Sequence, residues 1–268
     1  MQQTIDLEGL VVPVATPFTD SDQIDADALS CHLEWLEAHG VSRVMINGTT
    51  AEFCSLLPSE RRELLEISRR AFKGCLLFNT GSDSLAQACE AAHWAEDVGA
   101  DAIVGMTPYY LAGVSEEGLA RYLTALAEAS RLPLVIYNFV KHTGNAITPR
   151  ILRQVPHVAV KDSSGDYGLM GATPLYLGGT SRSMVQVWQA GARGFVSALA
   201  NVLPSRYVAL EAHLGGNRMV EAEAEQADIC AALPPPARGV NEIAFIKQQL
   251  MTVIPGYRPH VRLPLLPA

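Results

Sequence analysis

The chain has 268 residues, 49% of them apolar, and a formal net charge of −8. That length suits two small domains or one large α/β barrel, and the apolar share is enough for a substantial core. The acidic balance, with no long run of one sign, argues against nucleic acid or an anionic membrane as a partner.

Short apolar runs alternate with longer amphipathic ones. The runs read as strands are LVVPVATPF (10–18), RVMINGTT (43–50), CLLFNTGS (75–82), DAIVGMTP (101–108), LPLVIYN (132–138), HVAVKDS (157–163), PLYLGGT (174–180) and GFVSALAN (194–201). Each is nearly continuous in apolar residues, as expected of parallel strands covered on both faces. Helical patterns lie between them. DADALSCHLEWLEAHG has an Asp to cap it and a Gly to end it. SERRELLEISRRAF reads as a capping box opening on Ser59. SDSLAQACEAAHWAEDVGA and SEEGLARYLTALAEAS keep the same rhythm. Eight strand–helix repeats predict an α/β fold, a (β/α)8 TIM barrel, rather than an open sheet, and the first βα turn lacks the GxGxxG of a dinucleotide site. Two or three further helices are expected, near 204–213, 217–232 and 240–252, followed by an extended proline-rich tail. The organisation read from this is a catalytic barrel over 1–213 and a C-terminal helical appendix over 214–268, packed on the barrel.

No apolar run is long enough to span a membrane, and Met1–Gly9 is polar and acidic, unlike a secretory signal. Cys31, Cys54, Cys75, Cys89 and Cys230 form no CxxC pair and are expected to be reduced core thiols of a cytoplasmic protein. The seven histidines lack the i,i+4 spacing of a helical zinc site, so no metal is expected.

One residue concentrates the chemistry. There are four lysines, Lys73, Lys141, Lys161 and Lys247. Lys73 ends an exposed helix, Lys141 lies in a loop and Lys247 falls in a helix outside the eight repeats. Lys161 ends a buried strand, which in a barrel is the catalytic rim. Burial there disfavours the ammonium and lowers the pKa from about 10.4. A neutral amine attacks a ketone to give an imine, and the protonated imine accepts the electrons of a breaking bond alpha to it. The structural alternative is a lysine paired with Asp162.

NGTTAE (47–52), TPYY (107–110), IYNFVKHTG (136–144), VKDSSGD (160–166), LGGT (177–180) and GFVSALANVLP (194–204) occur in this order at strand ends. As a set they resemble the dihydrodipicolinate synthase/N-acetylneuraminate lyase family of pyruvate-dependent class I aldolases, over almost the whole chain. The resemblance implies Lys161 as the Schiff-base residue and Tyr137 as the proton-shuttling acid/base. It implies Thr50 and Tyr110 as members of a hydroxyl relay, Tyr110 from across a dimer interface, and Thr49 as holding the 2-oxo acid carboxylate. Val196 would line the pyruvate pocket, and Gly179 would leave room for the lysine. It further implies no cofactor beyond the covalent imine of substrate with Lys161, small-molecule partners (pyruvate and an aldehyde), and a homo-oligomer, dimer or tetramer.

Four departures matter. Ala51 replaces the glycine of GTTGE, which costs about 1 kcal/mol if that backbone needs a positive φ. The segment between Lys161 and the seventh strand allows barely one or two helical turns, and the C-terminus is short for the family. His142 replaces the arginine that clamps the carboxylate of aspartate semialdehyde in dihydrodipicolinate synthases; histidine offers no planar fork for a carboxylate. The reading is therefore reversible cleavage of a 2-keto-3-deoxy sugar acid, with His142, Thr143 and Ser163 as substrate contacts. The alternative enzyme is 4-hydroxy-tetrahydrodipicolinate synthase, and the alternative from another class is a non-catalytic 2-oxo acid binding protein.

Overall fold

The computed structural model describes residues 5–268, so the first four residues of the polar N-terminus lie outside the described residues. In chain order the elements are β1 (Gly9–Pro13), α1 (Ala26–Ala38), β2 (Arg43–Ile46), α2 (Pro58–Ala71), β3 (Cys75–Asn79), α3 (Leu85–Val98), β4 (Ala102–Met106) and α4 (Glu116–Glu128). They continue with β5 (Leu134–Asn138), α5 (Val140–Thr143), α6 (Pro149–Leu152), β6 (Ala159–Asp162), β7 (Tyr176–Gly179), α7 (Met184–Gln189) and β8 (Gly194–Val196). Helices α8 (Pro204–Gly215), α9 (Met219–Ala232) and α10 (Glu242–Val253) follow. The strands join in sequence order into a closed barrel, so the fold is a (β/α)8 barrel with C-terminal helices.

The strands are shorter than the apolar runs. Thr49–Ala51 and Ala198–Asn201 turn into single 3-10 segments instead of extending β2 and β8. An apolar stretch cannot be divided between strand and buried turn by hydrophobicity alone, because both are covered. Between β6 and β7 only Met170–Ala172 is helical, a short 3-10 turn.

Contacts cluster into two compact units. One comprises residues up to Gly9, Leu77–Thr180 and Gln186–Val196. Its strands pair in parallel, with Tyr137 opposite Lys161, Lys161 opposite Leu177, and Gly179 opposite Val196. Helices α3 and α4 begin on Ser84 and Ser115, whose side chains accept from Gln87 and Gly118 amides. These caps satisfy N–H groups that a first helical turn leaves free.

The other unit comprises Leu10–Leu76, Ser181–Val185 and Ser197–Ala268. Asp25 caps α1 as expected, accepting from the Ala28 amide at 3.1 Å. Helix α2 does not open on Ser59. It begins at Pro58, a residue whose missing N–H costs nothing at that position, and Glu60 accepts from the Leu57 amide at 2.8 Å. Leu57 has no acceptor to return the bond, so only half of a capping box is present.

A buried charge cluster ties the tail to this unit. Lys247 is fully buried and pairs with Glu52, itself 5% exposed. Lys247 Nζ also donates to the His260 carbonyl at 2.8 Å, and the Arg262 amide donates to Glu52 at 3.0 Å. The Arg262 guanidinium reaches both oxygens of Glu60 and holds that carboxyl below its usual range. The Phe18 ring receives Lys247 Nζ at 4.2 Å and the Arg262 guanidinium at 4.4 Å from its centroid. Lys247 is therefore a core residue, not merely a member of an outlying helix. The cysteines are free, but none is a core thiol: Cys31 and Cys54 are exposed and the others half-buried.

Candidate active site

Lys161 and Tyr137 lie in register on β6 and β5, so alternation along the strands sends both side chains to the same face. Both are buried, at 5% and 3% exposure. The Lys161 ammonium nitrogen sits over the Tyr137 ring, 3.7 Å from its centroid. Among the described residues no carboxylate pairs with that nitrogen. Desolvation alone brings Lys161 down to about 7, so a free lone pair is accessible near neutral pH. The alternative in which Asp162 neutralises Lys161 fails. Asp162 is satisfied by Asn138, Ser164 and Tyr176 instead.

The phenol belongs to an aromatic stack absent from the sequence reading. Tyr137 lies against Phe139 at 5.6 Å between centroids and 25° between planes, and Phe139 against His142 at 4.1 Å. The stack runs from the buried amine to an exposed imidazole. Its signal in the sequence was the spacing of Tyr137 and Phe139, which places both on one face of an extended chain.

The remaining predicted residues divide. Ser163 and Gly179 are neighbours: a Cβ at Gly179 would stand 2.1 Å from Ser163 Oγ and 3.1 Å from the Asp162 carbonyl. The room that this glycine leaves is thus filled by Ser163, and Lys161 is not among the nearest atoms. Val196 is buried and paired with Gly179. His142 sits in the short α5, exposed. Thr143, beside it, is 1% exposed, and its hydroxyl donates to the Phe139 and Asn145 carbonyls; it braces a turn instead of facing a ligand. Tyr110 is 86% exposed, on a loop whose Tyr110 and Leu111 amides both donate to Asp83. The fold therefore does not bring the Tyr110 ring to Lys161 within one chain.

Thr49 and Thr50 belong to the second unit, on the 3-10 turn after β2, with Thr50 buried and Thr49 half-buried. Ala51 adds no strain there. The left-handed residue of this turn is Glu52, at φ 57°, the same Glu52 that Lys247 and Arg262 hold.

The barrel with a buried lysine at a strand end fits one class, carbon–carbon lyases that work through a lysine imine on a small molecule without an external cofactor, and the family match shows it. Within that class, the chain belongs to the Dihydrodipicolinate synthetase family, whose model matches residues 6–268. It is 31% identical over 217 residues to the 4-hydroxy-tetrahydrodipicolinate synthase of Staphylococcus haemolyticus, covering 76% of this chain and 73% of that one. Among solved structures it is similar to the dihydrodipicolinate synthase of Bacteroides thetaiotaomicron, with a TM-score of 0.90, 26% identity, and coverage of 99% of this chain and 95% of that one. It is also similar to a variant of the 2-keto-3-deoxygluconate aldolase of Sulfolobus solfataricus, with a TM-score of 0.87, 26% identity, and coverage of 97% and 90%. No helix of the described residues is long and apolar enough to cross a membrane.

Proposed function

We propose that Lys161 is the imine-forming residue of a pyruvate-dependent lyase, with Tyr137 as its acid/base. The observation that carries this reading is a desolvated amine, with no carboxylate partner among the described residues, 3.7 Å from the centroid of a phenol ring. The free amine adds to the C2 carbonyl of pyruvate to give a carbinolamine. Tyr137 supplies the proton with which the C2 oxygen leaves as water, and a protonated imine remains. Loss of a C3 proton gives the enamine, whose C3 bonds to the aldehyde carbon. Hydrolysis then returns the amine and releases product; cleavage is the same sequence reversed. A phenol works as an acid/base only when its anion is supported, and the positive charge of the protonated imine on Lys161 is one such support. Thr49 as carboxylate holder, and Thr50 and Tyr110 as hydroxyl relay, complete the proposal on the strength of the resemblance. The exposed ring of Tyr110 fits a residue that serves a second copy of the chain. Val196 lines the pyruvate side, and Ser163 and His142 face the acceptor.

The named relatives move the weight from the sugar-acid reading to the alternative. The first acceptor to test is aspartate semialdehyde, the condensation of 4-hydroxy-tetrahydrodipicolinate synthase. The sugar-acid reading stays as the second, because exposed His142 stands where a carboxylate clamp requires arginine.

Incubation with pyruvate and borohydride, followed by peptide mapping, tests the site. An adduct on Lys161, absent in Lys161→Arg, is expected; an adduct on another lysine, or none, sinks the proposal. Initial rates with aspartate semialdehyde against glyceraldehyde then rank the two acceptors.

A further inference from the structure

The face of β5–β6–β7 opposite Lys161 carries a second polar constellation. One residue beyond the reacting pair, Asn138 stands opposite Asp162, and Asp162 opposite Gly178. A Cβ on Gly178 would strike Val187 of α7 at 2.4 Å, so this row points outward to the helices while Tyr137 and Lys161 point the other way. Asp162 is 2% exposed and its carboxylate is fully engaged. Oδ1 accepts from Asn138 Nδ2 at 2.9 Å and from the Ser164 amide at 2.8 Å. Oδ2 accepts from Ser164 Oγ at 2.9 Å and from the Tyr176 hydroxyl at 2.9 Å. Asn138 Oδ1 in turn accepts from the Ile147 amide at 3.1 Å.

Among the described residues no cation pairs with this carboxylate; its partners are four neutral donors. Burying an unpaired carboxylate is unfavourable, and neutral hydrogen bonds only offset that. An apolar residue would fill an outward position with less penalty. The arrangement makes sense as a bracket. One side chain binds β5 through Asn138, β7 through Tyr176 and the post-β6 turn through Ser164. The end of β5, the end of β6 and the start of β7 are joined in this way, and these strands carry Tyr137, Lys161 and the Gly179 that meets Ser163. Tyr176 remains a donor, because burial and the Asp162 charge push its phenol up.

We infer that Asp162 is a positioning residue that, from the opposite face of the sheet, fixes Lys161 over Tyr137 and keeps the amine dry. The inference rests on Lys161 being the imine-forming residue. It predicts that loosening the bracket lets the amine move off the ring and regain water, so that it becomes harder to deprotonate and slower to react.

The test compares wild type, Asp162→Asn and Tyr176→Phe in pyruvate–borohydride trapping across pH, scored per folded molecule by circular dichroism. In Asp162→Asn the trapping rate should fall about tenfold, and its pH midpoint should rise by about one unit toward the ordinary lysine value. Loss of a nearby negative charge by itself would move that midpoint down, so a rise reports positioning and not charge. Tyr176→Phe changes no charge and removes one arm of the bracket; it should shift the midpoint the same way by about half a unit, with a rate loss of about threefold. If Asp162→Asn does not fold, Tyr176→Phe decides by the same criterion. An unchanged or lowered midpoint, or a fall in melting temperature with no change in trapping per folded molecule, overturns the inference. Wild type without a Lys161 adduct would overturn the underlying reading instead; a wild-type adduct with unmoved variants overturns the bracket alone.

Discussion

Two buried lysines make a natural comparison. Lys161 and Lys247 are each set over an aromatic ring, Tyr137 at 3.7 Å and Phe18 at 4.2 Å from the centroids. Desolvation dominates both, bringing Lys161 to about 7 and Lys247 to about 8. The difference is in what else each amine touches. Lys247 has a carboxylate, Glu52, and a carbonyl, His260, and so remains a cation in a neutralised cluster. Among the described residues Lys161 has neither, and its ring carries a hydroxyl. Burial is common to a structural and a reactive lysine. The missing counter-ion and the adjacent proton donor separate them.

The largest effect that sharpens this contrast is on turnover. Tyr137→Phe makes the Lys161 ring resemble that of Lys247, and steady-state assays should show a loss of about 10²–10⁴ in kcat, the usual worth of a positioned acid/base, with pyruvate binding nearly kept. Equal turnover would remove the phenol from the chemistry.

Next come the two lysine-to-methionine variants, which should move stability in opposite directions. Lys247→Met leaves Glu52 buried without its cation and should lower the unfolding free energy by about 3–5 kcal/mol in denaturant titration. Lys161→Met removes a desolvated amine that has no counter-ion among the described residues and should raise it by about 0.5–2 kcal/mol at neutral pH, with loss of activity. Two losses of similar size would mean that both lysines are structural.

The smallest effect is a slope. Lys161 titrates near 7 in the folded chain and near 10.4 unfolded, so between those values the unfolded chain binds more protons. Wild-type stability relative to Lys161→Met should therefore rise with pH across about 7–10 and be flat below that window. A falling difference would mean that the fold favours the ammonium.

The contrast also separates what the sequence disclosed from what it hid. Lys161 stood out because lysine is scarce in this chain and because AVKD is a buried strand ending on a charge. The eight strands were legible because covered parallel strands are apolar on both faces; their ends were overdrawn where Thr49–Ala51 and Ala198–Asn201 turn without becoming polar. Lys247 was placed in its helix, but its ion pair was hidden because the partner lies 195 residues away, beyond any local pattern. The Asp162 bracket was missed for a related reason. Its donors come from three segments, and an aspartate beside a lysine invites a pairing that strand alternation forbids. The closeness of Gly179 to Ser163 comes from strand register, which motif order does not reveal.

The most direct test is the pH dependence of pyruvate trapping on Lys161 itself. If burial without a counter-ion holds the amine neutral, adduct formation rises with pH to a plateau with a midpoint near 7. A midpoint near the ordinary lysine value of about 10.4, with the adduct still on Lys161, would contradict the account.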